Sequence, residues 1–88
     1  MIRGKILDTA KKIINGDRQD AYGNPEDCFE LIKQYWSTYL KIKLTPAQVA
    51  MMMVFLKLAR EGNNHKTDNQ VDACGYLALY EDLIGGQK

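Results

Sequence analysis

The sequence predicts an all-α fold, a single compact four-helix domain over residues 1–88 that assembles with copies of itself. Three observations carry this. Apolar residues recur at i, i+3 and i+4 in successive segments, the period of a helix. The intervals between segments hold helix stop and start residues. No segment has the apolar–polar alternation of a strand.

The first helix places Ile6, Leu7, Ala10, Ile13 and Ile14 on one side and Lys5, Asp8, Lys11 and Lys12 on the other, and Asn15-Gly16 ends it. Asn24 is the expected cap of the second, with Pro25 as its first residue and Glu26 and Asp27 favoured by the helix dipole. That helix runs to about Leu40, with Phe29, Ile32, Trp36, Tyr39 and Leu40 on its core side. Thr45-Pro46 repeats the start signal. The third helix, VAMMMVFLKLAR, is apolar almost all round until Lys57, which places it at the centre of a bundle or in an oligomer interface. Gly62-Asn63-Asn64 ends it. Thr67 or Asp68 caps a fourth helix, which runs to Ile84 before Gly85-Gly86.

Composition narrows the partners. With 88 residues the chain buries a small core, yet 45% of it is hydrophobic, which implies a core shared between copies. Basic and acidic residues number 12 and 11, so the clear basic excess of duplex-binding proteins is missing and a nucleic-acid polymer is not the expected partner. A small anion held by local cations is compatible with this balance. Cys28 and Cys74 belong to no CxxC pair and are read as buried, reduced thiols. Met1 to Ala10 carries Arg3, Lys5 and Asp8 without an apolar run, and Ala47 to Leu58 is too short to span a bilayer. The expected setting is therefore cytoplasmic, with no membrane partner.

Three groups of polar residues invite chemistry. Asp68, Asn69, Asp72, Gly75 and Tyr76 share one stripe of the fourth helix, and Asp72 lies in the apolar string VDACGYLALY. A buried carboxylate there requires a cation or donors. Lys57, between Phe55-Leu56 and Leu58-Ala59, has the same need, and Arg60 shares its face. A hairpin through Gly62–Lys66 brings Lys57 and Arg60 to Asp68, Asn69 and Asp72, so a structural Lys57–Asp72 ion pair and a ligand site are both open readings. On the second helix Asp27 and Glu30, spaced i, i+3, can present two carboxylates to a divalent cation, although acids in a first helical turn are common. His65 lacks a second His or Cys at zinc spacing. The segment GDRQDAYGN holds more functional groups than a turn needs, and Arg18 and Tyr22 are expected to face the polar cluster.

The strings RQDAYGNPEDCF with Trp36, LTPAQVAMMMVFLKLAR and DNQVDACGY resemble a family of small uncharacterised phage and prophage proteins, from about Ile6 to Tyr80. More distantly, the layout resembles the all-α nucleoside triphosphate pyrophosphohydrolases of the MazG and dimeric dUTPase type. That resemblance implies two acidic pairs holding magnesium against a triphosphate. Asp27-x-x-Glu30 stands for the first pair, and Asn69-x-x-Asp72 for the second with an amide in place of one acid. Loss of one carboxylate, with Lys57 and Arg60 nearby, shifts the balance from metal-assisted chemistry to direct binding of an anion. The expectation is a non-catalytic binder of a nucleotide-like phosphorylated molecule, needing no cofactor. Arg18, Lys57 and Arg60 would contact phosphates, Tyr22, Tyr76 or Trp36 would stack on a base, and Asn69 and Asp72 would bond ribose or base edges. A phage protein of this kind could sequester a nucleotide second messenger in the host cytoplasm. The alternative is a magnesium-dependent pyrophosphohydrolase with Asp27, Glu30 and Asp72 as metal ligands. A third reading is a helical protein-interaction module.

Overall fold

The structure is a computed structural model that describes residues 2–17 and 25–85. These form four α-helices: α1 (Ile2–Lys12), α2 (Pro25–Leu40), α3 (Pro46–Asn63) and α4 (Thr67–Gly85), with no strand among the described residues. A five-residue π-helical turn, Ile13–Asp17, extends α1. The expected stop at Asn15-Gly16 is thus a change of helical period, which widens the last turn.

The start of α3 is built as its sequence requires. Thr45 Oγ1 accepts from Gln48 N at 3.2 Å, and Gln48 Oε1 accepts from Thr45 N at 2.9 Å. This reciprocal box satisfies two backbone donors that a helix start leaves open. Upstream, Lys41 takes a left-handed conformation (φ 57°) that turns the chain off α2 without a glycine. Leu44 is then buried, with its N–H donating to Ser37 Oγ at 3.2 Å.

α3 and α4 form a helical hairpin across residues 64–66, and this hairpin organises the molecule. The apolar half of α3 and the C-terminal half of α4 meet α2 in one cluster of Phe29, Ala47, Val49, Ala50 and Leu83. Trp36, Tyr76 and Ile84 pack against it. α1 lies along α4: a Cβ on Gly75 would sit 3.8 Å from Ile14 Cγ1, an ordinary contact. Gly75 is therefore a helix-packing position, not one that only glycine can occupy.

Several expectations about the core need correction. Leu7 and Cys28 are exposed. So are Leu40 and Tyr39, the latter 85% exposed, whereas Trp36 on the same helix is half-buried. The reason is geometric. α2 packs through Phe29, Ile32 and Trp36, and its final turn carries Tyr39 and Leu40 beyond that contact. Cys28 heads a different stripe, Cys28–Leu31–Tyr35–Tyr39, whose members are spaced i+3 and i+4 and all exposed. α3 is likewise divided. Ala47, Val49, Ala50 and Val54 are buried, while Phe55 and Leu58 are 60% and 56% exposed.

Candidate functional site

The apolar end of the hairpin is closed by the core; the turn end is polar and open. A recess of about 570 Å³ lies there. The last turns of α3 contribute Lys57, Arg60 and Asn63, the link contributes Asn64 and Lys66, and the first turns of α4 contribute Asp68, Asn69 and Asp72. The volume is in the range of small-molecule sites.

Its floor is an ion pair. Lys57 Nζ is 2.9 Å from Asp72 Oδ2, with the side chains only 12% and 6% exposed. Each charge answers the desolvation of the other, since either alone in this setting would carry a penalty of several kcal/mol. The sequence explains the meeting. Lys57 interrupts the apolar run of α3, Asp72 that of α4, and the short link folds the two helices against each other.

Above the floor are cations without such a partner. Among the described residues, the side chains of Arg60 and Lys66 form no ion pair, and both are exposed at the rim. Amides from Asn63, Asn64 and Asn69 supply donors and acceptors. Asp68 adds a carboxylate to the exposed rim. The arrangement suits a ligand that brings an anionic group to Arg60 and Lys66 and neutral polar groups to the amides.

Glu61 holds the turn together. Its Oε1 accepts from Lys66 N at 3.0 Å and from Asn69 Nδ2 at 3.1 Å, and its Oε2 meets His65 Nδ1. A carboxylate at the end of α3 is unfavourable for that helix's own dipole, but here it faces the start of α4, where backbone donors lack partners. The His65 contact first, then the Lys66 and Asn69 bonds, lower the Glu61 pKa to about 2. Sequence reasoning left Glu61 out of the site. The available signal was an acid just before a short link to a new helix, with His65 at i+4.

Of the other residues singled out in the sequence, Lys57, Arg60, Asn69 and Asp72 line the recess. Tyr76 does not: its ring packs on Phe29, with centroids 5.9 Å apart and planes at 38°. Arg18 and Tyr22, with the rest of the segment to Asn24, lie outside the described residues. Asp27 is exposed on α2, and Glu30 pairs with Lys33 at 2.6 Å, a bond that lowers the Glu30 pKa. Among the described residues no three His, Cys, Asp or Glu side chains are grouped to hold a metal ion. No helix of the described residues is long and apolar enough to cross a membrane.

Comparison with known proteins places the chain among phage sequences. Residues 5–84 match the model of a family described as a domain of unknown function, DUF6378. The chain is 40% identical over 80 residues to the Gene 55 protein of Mycobacterium phage L5, an alignment covering 89% of this chain and 51% of that one. It is 32% identical over 87 residues to the Gene 55 protein of Mycobacterium phage D29, covering 93% and 58%. The chain thus spans just over half the length of these curated relatives. No solved structure matches it. The resemblance to small uncharacterised phage proteins is supported by these matches.

Proposed function

This chain belongs to the DUF6378 family, and we propose that it binds a phosphorylated, nucleotide-like small molecule in the recess between α3 and α4, without chemistry on it. The observation that carries this reading is the pairing of an internally neutralised floor, Lys57–Asp72, with the uncommitted rim cations Arg60 and Lys66. Such a site attracts an anion through the rim and offers the amides of Asn63, Asn64 and Asn69 to sugar or base edges. Arg18 and Tyr22, which lie outside the described residues, are the proposed phosphate contact and stacking ring. Tyr76 and Trp36 are committed to the core, so stacking falls to Tyr22. Sequestration of a phage-relevant nucleotide signal is the biological form of this reading.

The MazG-like alternative requires Asp27, Glu30 and Asp72 to share a magnesium ion. The Glu30–Lys33 pair and the lack of a three-acid group among the described residues favour binding over metal-assisted hydrolysis. Self-assembly accompanies the proposal. Its motive is the exposed apolar side chains of Phe55 and Leu58 and of the Leu31–Tyr35–Tyr39 stripe.

The test is incubation with ribonucleotides, with and without magnesium, read by thermal shift and by chromatography of the products. The expected result is stabilisation without product, by about 2.7 kcal/mol at a hundredfold excess over Kd. Arg60→Ala should remove the shift and leave the unliganded melting temperature unchanged. Conversion to a monophosphate would establish the pyrophosphohydrolase instead, and no shift with any nucleotide would overturn both.

A further inference from the structure

We infer that Glu61 is a positioning residue that fixes Asn69 as a hydrogen-bond acceptor in the recess, so that the site selects ligands carrying a hydroxyl or N–H donor beside their anionic group. This deepens the reading above and rests on it.

The argument begins with an amide that cannot choose its orientation. An ionised carboxylate only accepts hydrogen bonds, so the Asn69 group facing Glu61 Oε1 at 3.1 Å has to be the donor, Nδ2. The two ends of an Asn side chain are otherwise nearly interchangeable. With Nδ2 committed, Oδ1 is turned away from Glu61. Asn69 is buried overall, yet no side-chain polar atom among the described residues is both sealed from solvent and without a partner. Oδ1 has no partner among them, so it has an opening, and the recess that Asn69 lines supplies it.

Glu61 is itself held. Lys66 N and His65 Nδ1 bind its two oxygens, and the resulting low pKa keeps it an acceptor through the ordinary pH range. The recess therefore presents a fixed acceptor at Asn69 and cations at Arg60 and Lys66. A bare polyphosphate satisfies only the cations. A ribonucleotide satisfies both, because its sugar hydroxyls and base N–H groups are donors. A ligand without such a donor leaves Oδ1 desolvated and unpaired, which is where discrimination arises.

Two probes separate the terms: inorganic triphosphate, which reads the cations, and a ribonucleoside triphosphate, which reads cations and acceptor together. The quantity of interest is the ratio of their affinities, measured by titration calorimetry in the absence of magnesium. Removal of the Glu61 charge alters anion binding for both probes alike and cancels from the ratio. The ratio should fall about tenfold in Asn69→Ala and in Glu61→Ala, a change of about 1.4 kcal/mol. Glu61→Gln should restore it, since one amide oxygen can accept from both Lys66 N and Asn69 Nδ2 while its NH2 group donates to His65. An unchanged ratio in Asn69→Ala, with both affinities lost in Arg60→Ala, would overturn the acceptor role and leave the anion site standing. Parallel loss of both probes in Glu61→Ala would mark Glu61 as merely structural. Failure of wild-type protein to bind either probe would remove the site altogether.

Discussion

Asp72 and Lys57 illustrate how a buried pair is weak evidence for stability. Removal of one member leaves the other desolvated, so Asp72→Ala should cost about 3–5 kcal/mol in chemical denaturation. Replacement of both, Lys57→Met with Asp72→Leu, should cost less than the two single losses together, because neither change then strands the other's charge. A double variant that folds well yet fails to bind a nucleotide would show that the pair is kept for the recess. A loss in the double variant equal to the sum of the single losses would contradict that coupling. Gly75 is the opposite case. A Cβ there meets only Ile14 Cγ1 at 3.8 Å, so Gly75→Ala should raise stability by about 0.5–1 kcal/mol through helix propensity. A drop in melting temperature would mean that the backbone at Gly75 is approached more closely than by Ile14.

The α3–α4 hairpin has its own pH signature. The folded-state pKa of Glu61 is lowered from 4.5 to about 2, so the bonds of its carboxylate contribute stability above the ordinary value. That contribution is lost as pH falls from about 4.5 through about 2. Glu61→Gln keeps acceptor geometry without titrating, and its melting temperature should fall less steeply than wild type across that window. Identical acid profiles for the two proteins would place the acid sensitivity elsewhere. Because Glu61 also bonds Lys66 N and Asn69, the same acidification loosens the start of α4 and one wall of the recess together.

The described helices carry exposed apolar residues. The apolar residues of α2 at Leu31, Tyr35 and Tyr39 and those of α3 at Phe55 and Leu58 face outward. A surface this apolar on a chain of 88 residues is expected to pair with its like in a symmetric oligomer. Light scattering should give a mass that is a multiple of 10.0 kDa at micromolar concentration. Tyr35→Asp or Phe55→Asp should shift it toward one protomer with the helical signal preserved. A stable wild-type monomer would refute the assembly, and the polar recess would then act within a single chain.

Helix boundaries were readable along the chain because they depend on neighbours: Thr45-Pro46 with Gln48, Asn63-Asn64, and the acids and amides that open α4 act over three or four residues. The Lys57–Asp72 pairing was readable too, since two lone charges in apolar helices joined by a short link have few other partners. Folding decided which apolar residues are core. Phe29, Trp36 and Tyr39 look alike in a helical pattern, but the length of α2 that another helix covers depends on contacts distant in sequence. It decided the role of Glu61 as well. Periodicity places Glu61 four residues from Lys57 on the same side of α3 but names none of its partners; its carboxylate binds the start of the next helix, a partnership that exists only once the hairpin has closed.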